Sequence, residues 1–156
     1  MKKQKHCRNS KKQKAENKKI LDLDKLLTLE IVSPSKKVYS GFVHSVSAPG
    51  LLGEFQILCN HAAMVAVLDI GIIKIKRESF EEIKFSISGG TLEVRNNIVN
   101  ILAETIENKD GIDIERARHS LERANQRIKT HEKDFDRERS LLSIKRAKNR
   151  LKLAGG

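Results

Sequence analysis

The sequence predicts an α+β fold: an antiparallel β-sandwich or barrel over residues 26–107, then an antiparallel two-helix hairpin over residues 108–156. Two observations carry this. Up to about residue 105, short apolar–polar alternations recur between turn signals roughly every eight to twelve residues, the spacing of a sandwich or barrel. At Asn108-Lys109-Asp110-Gly111 the apolar spacing lengthens to threes and fours, the period of a helix. No helical stretch separates the strands, which disfavours a parallel sheet.

Taken in order, Leu27–Val32 alternates and closes at Ser33-Pro34, a turn signal. Strands follow at 38–40 and 42–46, the latter closing at Pro49-Gly50, and then at Gly53–Leu58, 64–68 and 72–76. Residues 83–87 alternate and run into Gly89-Gly90, a hairpin dipeptide. Strands at 92–94 and 98–102 are joined through Asn96-Asn97.

In the first helix Ala117, Leu121, Ala124 and Ile128 step by three or four and form one narrow apolar stripe. Asp113 and Glu115 lie in its first turn, where carboxylates suit the helix dipole. Polar residues 130–136 hold the turn. The second helix places Leu141, Ile144, Ala147 and Leu151 inward and ends at Gly155-Gly156. Two narrow stripes bury little, so the hairpin is expected to attach only loosely to the sandwich.

The net charge of +11 is uneven. Residues 1–25 hold ten Lys/Arg against three Asp/Glu and lack an apolar period, which predicts a disordered basic tail. The charge therefore belongs to a tail rather than to a folded surface and does not argue for a nucleic-acid partner. With no Trp and six other aromatics, stacking on bases is disfavoured. No apolar stretch follows the tail lysines as in a secretory signal, and none is long enough to span a membrane. The chain is expected to stay where it is made. Cys7 and Cys59 have no ligand spacing and suit a reducing compartment; the five His form no metal pattern, so no metal site is expected.

No catalytic constellation is visible. Asp113 and Glu115, two apart on a helix, face different ways, and Ser33, Ser40 and Ser45 lack a nucleophile elbow. Neither Gly89-Gly90 nor Gly50-Leu51-Leu52-Gly53 is a Walker loop. The distinctive motif is a repeated phrase. Arg123-Ala124-Asn125-Gln126-Arg127-Ile128 returns as Arg146-Ala147-Lys148-Asn149-Arg150-Leu151. Residues four apart share a helix face about 6 Å apart along the axis, so each copy offers a guanidinium pair. The alanine beside each pair lets another backbone approach. A folded hairpin would bring Arg127 level with Arg146 and Arg123 level with Arg150. Four guanidiniums so placed repel unless an anion lies between them. They are either the solvated face of a charged hairpin or a site for a polyphosphate or an acidic protein surface.

A family resemblance extends this. The runs Leu29-Glu30-Ile31-Val32-Ser33-Pro34, Tyr39-Ser40-Gly41 and Gly53-Glu54-Phe55-Gln56-Ile57-Leu58-Cys59-Asn60-His61-Ala62-Ala63 resemble the epsilon subunit of F-type ATP synthase, bacterial type. Leu68-Asp69-Ile70-Gly71 and Ser88-Gly89-Gly90 match in order and spacing, and the resemblance covers about residues 26–152. It implies a ten-stranded sandwich followed by two helices. It also implies a non-catalytic subunit of the central rotor stalk that couples proton flow through the membrane c-ring to the gamma subunit. The helices would restrain ATP hydrolysis in the alpha/beta catalytic head. The implied location is peripheral, on the cytoplasmic face of the bacterial plasma membrane, with membrane contact only through the complex. Ser33, Glu54 and His61 transfer as stalk and ring contacts.

One departure is that Cys59-Asn60 precedes His61-Ala62-Ala63 where the family has Pro-Gly before His-Ala-Pro, which should loosen that loop. In several bacterial members a nucleotide-binding pattern reads [IL]-D-x-x-R-A. Here Ile112-Asp113-Ile114-Glu115-Arg116-Ala117 matches, followed by Arg123, Arg127, Arg146 and Arg150, with Glu107 upstream. The implied ligand is regulatory ATP, with no cofactor required. The arginines would face its phosphates, and Asp113 and Glu107 would accept hydrogen bonds from adenosine. The competing function is a free-standing basic adaptor for nucleic acid or an acidic protein surface.

Overall fold

The computed structural model describes residues 26–130 and 136–155. The basic tail and most of the interhelical turn lie outside these residues. Seven strands come first: β1 (Leu27–Val32), β2 (Lys37–Gly50), β3 (Gly53–Leu58), β4 (Met64–Arg77), β5 (Glu82–Arg95), β6 (Ile98–Ala103) and β7 (Ile106–Asn108). A 3-10 turn (Lys109–Gly111) leads into helices α1 (Ile114–Thr130) and α2 (Arg137–Ala154).

Seven strands are found where ten are implied: three pairs of the nine segments read from the sequence are single strands of 14 residues, β2, β4 and β5, and β7 is added to the remaining six. The glycines between those segments lie within continuous strands instead of in turns. Gly89 and Gly90 have φ of +128° and +150°, and a Cβ on Gly90 would lie 2.2 Å from the Leu102 carbonyl oxygen. Gly89-Gly90 is therefore the point where β5 bends and crosses close to β6, not a hairpin.

Strands β1, β6, β5, β4 and β2 pair in succession, and β1 also pairs β2, so the five close into a ring. β3 is added to β2 and β7 to β5. Pairing is antiparallel except for β1 with β6, which run parallel because the chain crosses the whole domain between them. The closed ring protects most edges. Its interior takes residues of β1 to β6, among them Leu27, Leu29, Ile57, Ile73, Ile87 and Ile101, all fully buried, with Ile106 of β7 packed against them. Each is worth roughly 1.5–3 kcal/mol when removed from water.

Asp113 caps α1 by accepting from Arg116 N at 2.9 Å, and Asp136 caps α2 by accepting from Arg139 N at 2.9 Å. Gly155, at φ +88°, ends α2 with its N–H on the Leu151 carbonyl. The helices meet through small residues: Ala117 and Ala124 on α1, Ser140 and Ala147 on α2, all buried. The expected inward Leu141 is 49 % exposed. Ser140 takes that position instead, its hydroxyl bonded to the Asp136 carbonyl, and Leu153 is buried further along. α2 lies against β4 and β5, while α1 packs mainly on α2.

Candidate functional site

Where β7, the 3-10 turn, the start of α1 and the end of α2 converge, a cleft of about 340 Å³ opens. Glu107, Asp113, Arg116, Arg123 and Arg150 line it, five of the seven residues expected at a nucleotide site. Its size is at the small end of ligand pockets, about 300–1,000 Å³. Three small residues, Gly111, Ala117 and Ser120, leave the space that the charged side chains surround. Each charged group is placed by backbone chemistry. Asn108 caps the 3-10 turn by accepting from Gly111 N at 2.9 Å, which fixes the corner between β7 and α1. Asp113 is held by its capping bond, leaving its second carboxylate oxygen for other partners.

Arg150 points into the cleft because Glu107 holds it, with Nε on Oε2 at 2.5 Å and Nη2 on Oε1 at 3.3 Å. Arg123 directs Nε to the His119 carbonyl at 3.4 Å. Arg123 and Arg150 thus share one cleft, as the hairpin geometry requires. Arg127 and Arg146 do not line it. Arg127 is exposed near the end of α1. Arg146 lies 4.0 Å from Glu104, and its Nε is buried without a hydrogen-bond partner.

The expected repulsion among four converging guanidiniums is therefore not what the structure shows. Both α2 arginines of the repeated phrase face a carboxylate of the sandwich, Glu107 for Arg150 and Glu104 for Arg146. The cleft holds three guanidiniums and two carboxylates, one positive charge in excess. That balance suits a phosphate-bearing ligand that also offers hydrogen-bond donors, more than a bare polyanion.

The three expected partner contacts are dispersed. Ser33 closes the β1–β2 turn, with Oγ donating to the Lys36 carbonyl at 3.0 Å, and borders a groove with Val67 and Leu102. Glu54, near the start of β3, pairs with Lys74 at 2.7 Å, which raises the Lys74 pKa above the usual lysine value. His61 follows the other end of β3, with Nδ1 2.9 Å from the Ala62 carbonyl oxygen. The loop before it is not left slack by its altered sequence. Asn60 adopts the left-handed φ of 62° that asparagine tolerates. Its N–H donates to Asn97 Oδ1 at 2.6 Å, and Asn97 Nδ2 donates back to Asn60 Oδ1 at 3.1 Å.

Sequence reasoning missed the contacts that seat α2. Lys145 pairs with Asp69, holding that carboxyl below the usual aspartate range, and Asn149 bonds to β4 and β5. Their partners lie more than 60 residues away, beyond any local pattern. Among the described residues, no group of His, Cys, Asp and Glu is arranged to hold a metal, and no helix is long and apolar enough to cross a membrane.

Comparison with known proteins decides the family. A family profile described as the beta-sandwich domain of the ATP synthase delta/epsilon chain matches residues 26–109, and one described as its long alpha-helix domain matches residues 110–155. The chain belongs to the ATP synthase delta/epsilon family. A similar protein of Halalkalibacterium halodurans, an ATP synthase epsilon chain, is 42 % identical over 130 residues, which are 83 % of this chain and 97 % of that protein. An ATP synthase epsilon chain of Desulforamulus reducens is 38 % identical over 126 residues, 81 % of this chain and 95 % of that one. A chain in the cryo-EM structure of Euglena gracilis mitochondrial ATP synthase, OSCP/F1/c-ring, shares the fold with a TM-score of 0.74 at 20 % identity, over 84 % of this chain and 82 % of that one. As an epsilon subunit, this family member is a non-catalytic stalk component of an enzyme complex rather than a free-standing adaptor.

Proposed function

We propose that the sandwich seats on the gamma subunit and the c-ring of the rotor, and that the hairpin is a regulatory arm. Docked, it would leave the catalytic head free; extended, it would restrain ATP hydrolysis there. ATP in the cleft would favour the docked arm. Proton flow through the ring would reach the head through the stalk, at the cytoplasmic face of the bacterial plasma membrane, with membrane contact only through the complex. Ser33 in its turn, Glu54 on β3 and His61 in the following loop are the proposed contacts to stalk and ring, all at the surface or partly exposed.

The observation that supports the nucleotide reading best is the convergence of Arg116, Arg123 and Arg150 with Glu107 and Asp113 around one cleft. Three guanidiniums would hold phosphate oxygens with forked donors. The carboxylates would accept from the amino and hydroxyl groups of adenosine. Arg150 would exchange one bidentate partner, Glu107, for another. Arg127 and Arg146 enter this proposal only through the positive potential they add.

A ligand that binds only the docked form stabilises it by RT ln(1 + [L]/Kd), about 2.7 kcal/mol at a hundredfold excess over Kd. Calorimetry of ATP with the full chain tests this. Binding is expected, weakened about tenfold or more by Arg123→Ala and by Arg150→Ala. No heat at millimolar ATP would leave the arginines as a solvated or partner-facing surface and end the nucleotide reading.

A further inference from the structure

α2 fully buries few apolar side chains of its own; Ile144 and Leu151 are half-buried, and Ile70 of β4 is buried outside the sandwich core. Of its residues, Ser140, Ala147 and Leu153 are buried. On the strands beneath, the side chains of Phe85 and Ile87 enter the core while Ser86 takes the opposite face. Ser86 is nonetheless buried.

Polar contacts fill the gap. Lys145 Nζ reaches Asp69 Oδ2. Asn149 Nδ2 donates to the Gly71 carbonyl at 2.6 Å and to Ser86 Oγ at 2.8 Å. Both amide hydrogens are thereby used, one on β4 and one on β5. Geometry makes the set selective. Lys145 and Asn149 are four apart on a helix, about 6 Å of rise. Asp69 and Gly71 are two apart on a strand, about 6.6 Å. The two spacings agree at this one step, so the pair of contacts fixes the register of α2 along β4.

We propose that Asp69, the Gly71 carbonyl and Ser86 on the sandwich, with Lys145 and Asn149 on α2, form a clasp that docks the hairpin at a place separate from the cleft. None of its side chains lines the cleft. The clasp is releasable because its polar groups are rehydrated when α2 departs, whereas an apolar interface would be left exposed to water. Arg150 follows Asn149 directly, so release also draws Arg150 from Glu107. Clasp and cleft are thus coupled: opening the first lowers apparent affinity at the second by the fraction of chains left docked. The clasp itself does not rest on the nucleotide reading.

Amide hydrogen exchange of the full chain, resolved by peptide, tests this. Asn149→Ala and Asp69→Lys are each expected to speed exchange in α2 about tenfold or more, since each leaves a partner unmet. Exchange in β1 and β6 stays unchanged. The double variant Asp69→Lys with Lys145→Asp restores α2 protection to within about threefold, because the charges meet again. Lys148→Ala, on the exposed face of α2, changes nothing. Unaltered α2 exchange in Asn149→Ala, or no recovery in the charge swap, overturns the clasp. So does loosening of β1 and β6 in Lys145→Ala, which would make Lys145 part of the sandwich's own stability. An ATP series on the same samples separates the two ideas. If ATP leaves the wild type unchanged while the variants open as expected, the nucleotide reading falls and the clasp stands.

Discussion

Gly90→Ala tests the bent-strand architecture at its tightest point. The added Cβ would sit 2.2 Å from the Leu102 carbonyl oxygen and 3.0 Å from Ala103 Cα, at a φ of +150°. Carbon–oxygen contacts between strands ordinarily lie near 3.3–3.6 Å, so β5 and β6 must part by about 1 Å at their crossing. Positive φ on an alanine costs roughly 1–3 kcal/mol, and one or two weakened ladder bonds add about 1 each. The sum is about 2–5 kcal/mol, a large share of the roughly 4–12 that a domain of this length carries. Gly53→Ala is the matched control. Its φ is +138°, but nothing lies within 4 Å of the new Cβ, so only the backbone cost of roughly 1–3 kcal/mol applies. At about 4–8 °C per kcal/mol, Gly90→Ala should lower Tm by about 8 °C or more, and by clearly more than Gly53→Ala. Differential scanning calorimetry of both variants decides it. Melting within about 3 °C of each other would refute the close β5–β6 crossing.

Other outcomes follow from the same structure. Asn60→Val forces a β-branched residue into φ of 62° and removes the reciprocal bond to Asn97, and should cost about 2–3 kcal/mol in chemical denaturation; Asn60→Gly should cost about 1 or less. Because Lys145 holds the Asp69 carboxyl below its ordinary value, its contribution is present above the unfolded aspartate pKa near 4 and lost as pH falls through the lowered folded value. Protection of α2 should therefore persist to about pH 4 and decline below it, and Asp69→Asn should remove that step. A fragment of residues 26–109 should fold alone, since the buried core cluster ends at Ala103. Circular dichroism showing an unfolded fragment would mean that the helices complete the core.

How much of this was legible in the sequence depends on distance along the chain. Alternation in Leu27–Val32 and Gly53–Leu58 gave strands where strands are found, because burial of every second residue is a local pattern. The shift of period at Asn108 marked the start of the helical part for the same reason. Strand count went astray at glycines. A glycine in an alternating run signals either a turn or a close approach of another part of the chain, and only the partner distinguishes them. For Gly71 that partner is Pro49, whose Cβ would lie 2.5 Å from an added Cβ; for Gly90 it is Leu102. Neither is visible from flanking residues. Leu141 illustrates the smaller error: on a narrow stripe, a one-residue rotation to Ser140 moves the inward position by about 100°.

The cleft was legible in part: the repeat supplied Arg123 and Arg150, and the start of α1 supplied Asp113 and Arg116, while Arg127 and Arg146 of the same repeat lie outside it. What the repeat could not show is which carboxylates would answer its arginines. Charge periodicity on the hairpin alone implies repulsion; with Glu104 and Glu107 opposite Arg146 and Arg150, the docked hairpin is electrostatically compensated. The direction of the argument changes with it. A repelling hairpin would need an anion to close, whereas a compensated one can close unaided, and in the proposed regulation an anion would only shift a balance between two populated states. That is the arrangement in which a ligand of modest affinity has most leverage, since a two-state equilibrium responds most steeply when both states are populated. On that proposal, seating α2 through Asp69, Ser86 and Asn149, with few buried apolar side chains of its own, would keep the docked state within reach of an undocked one.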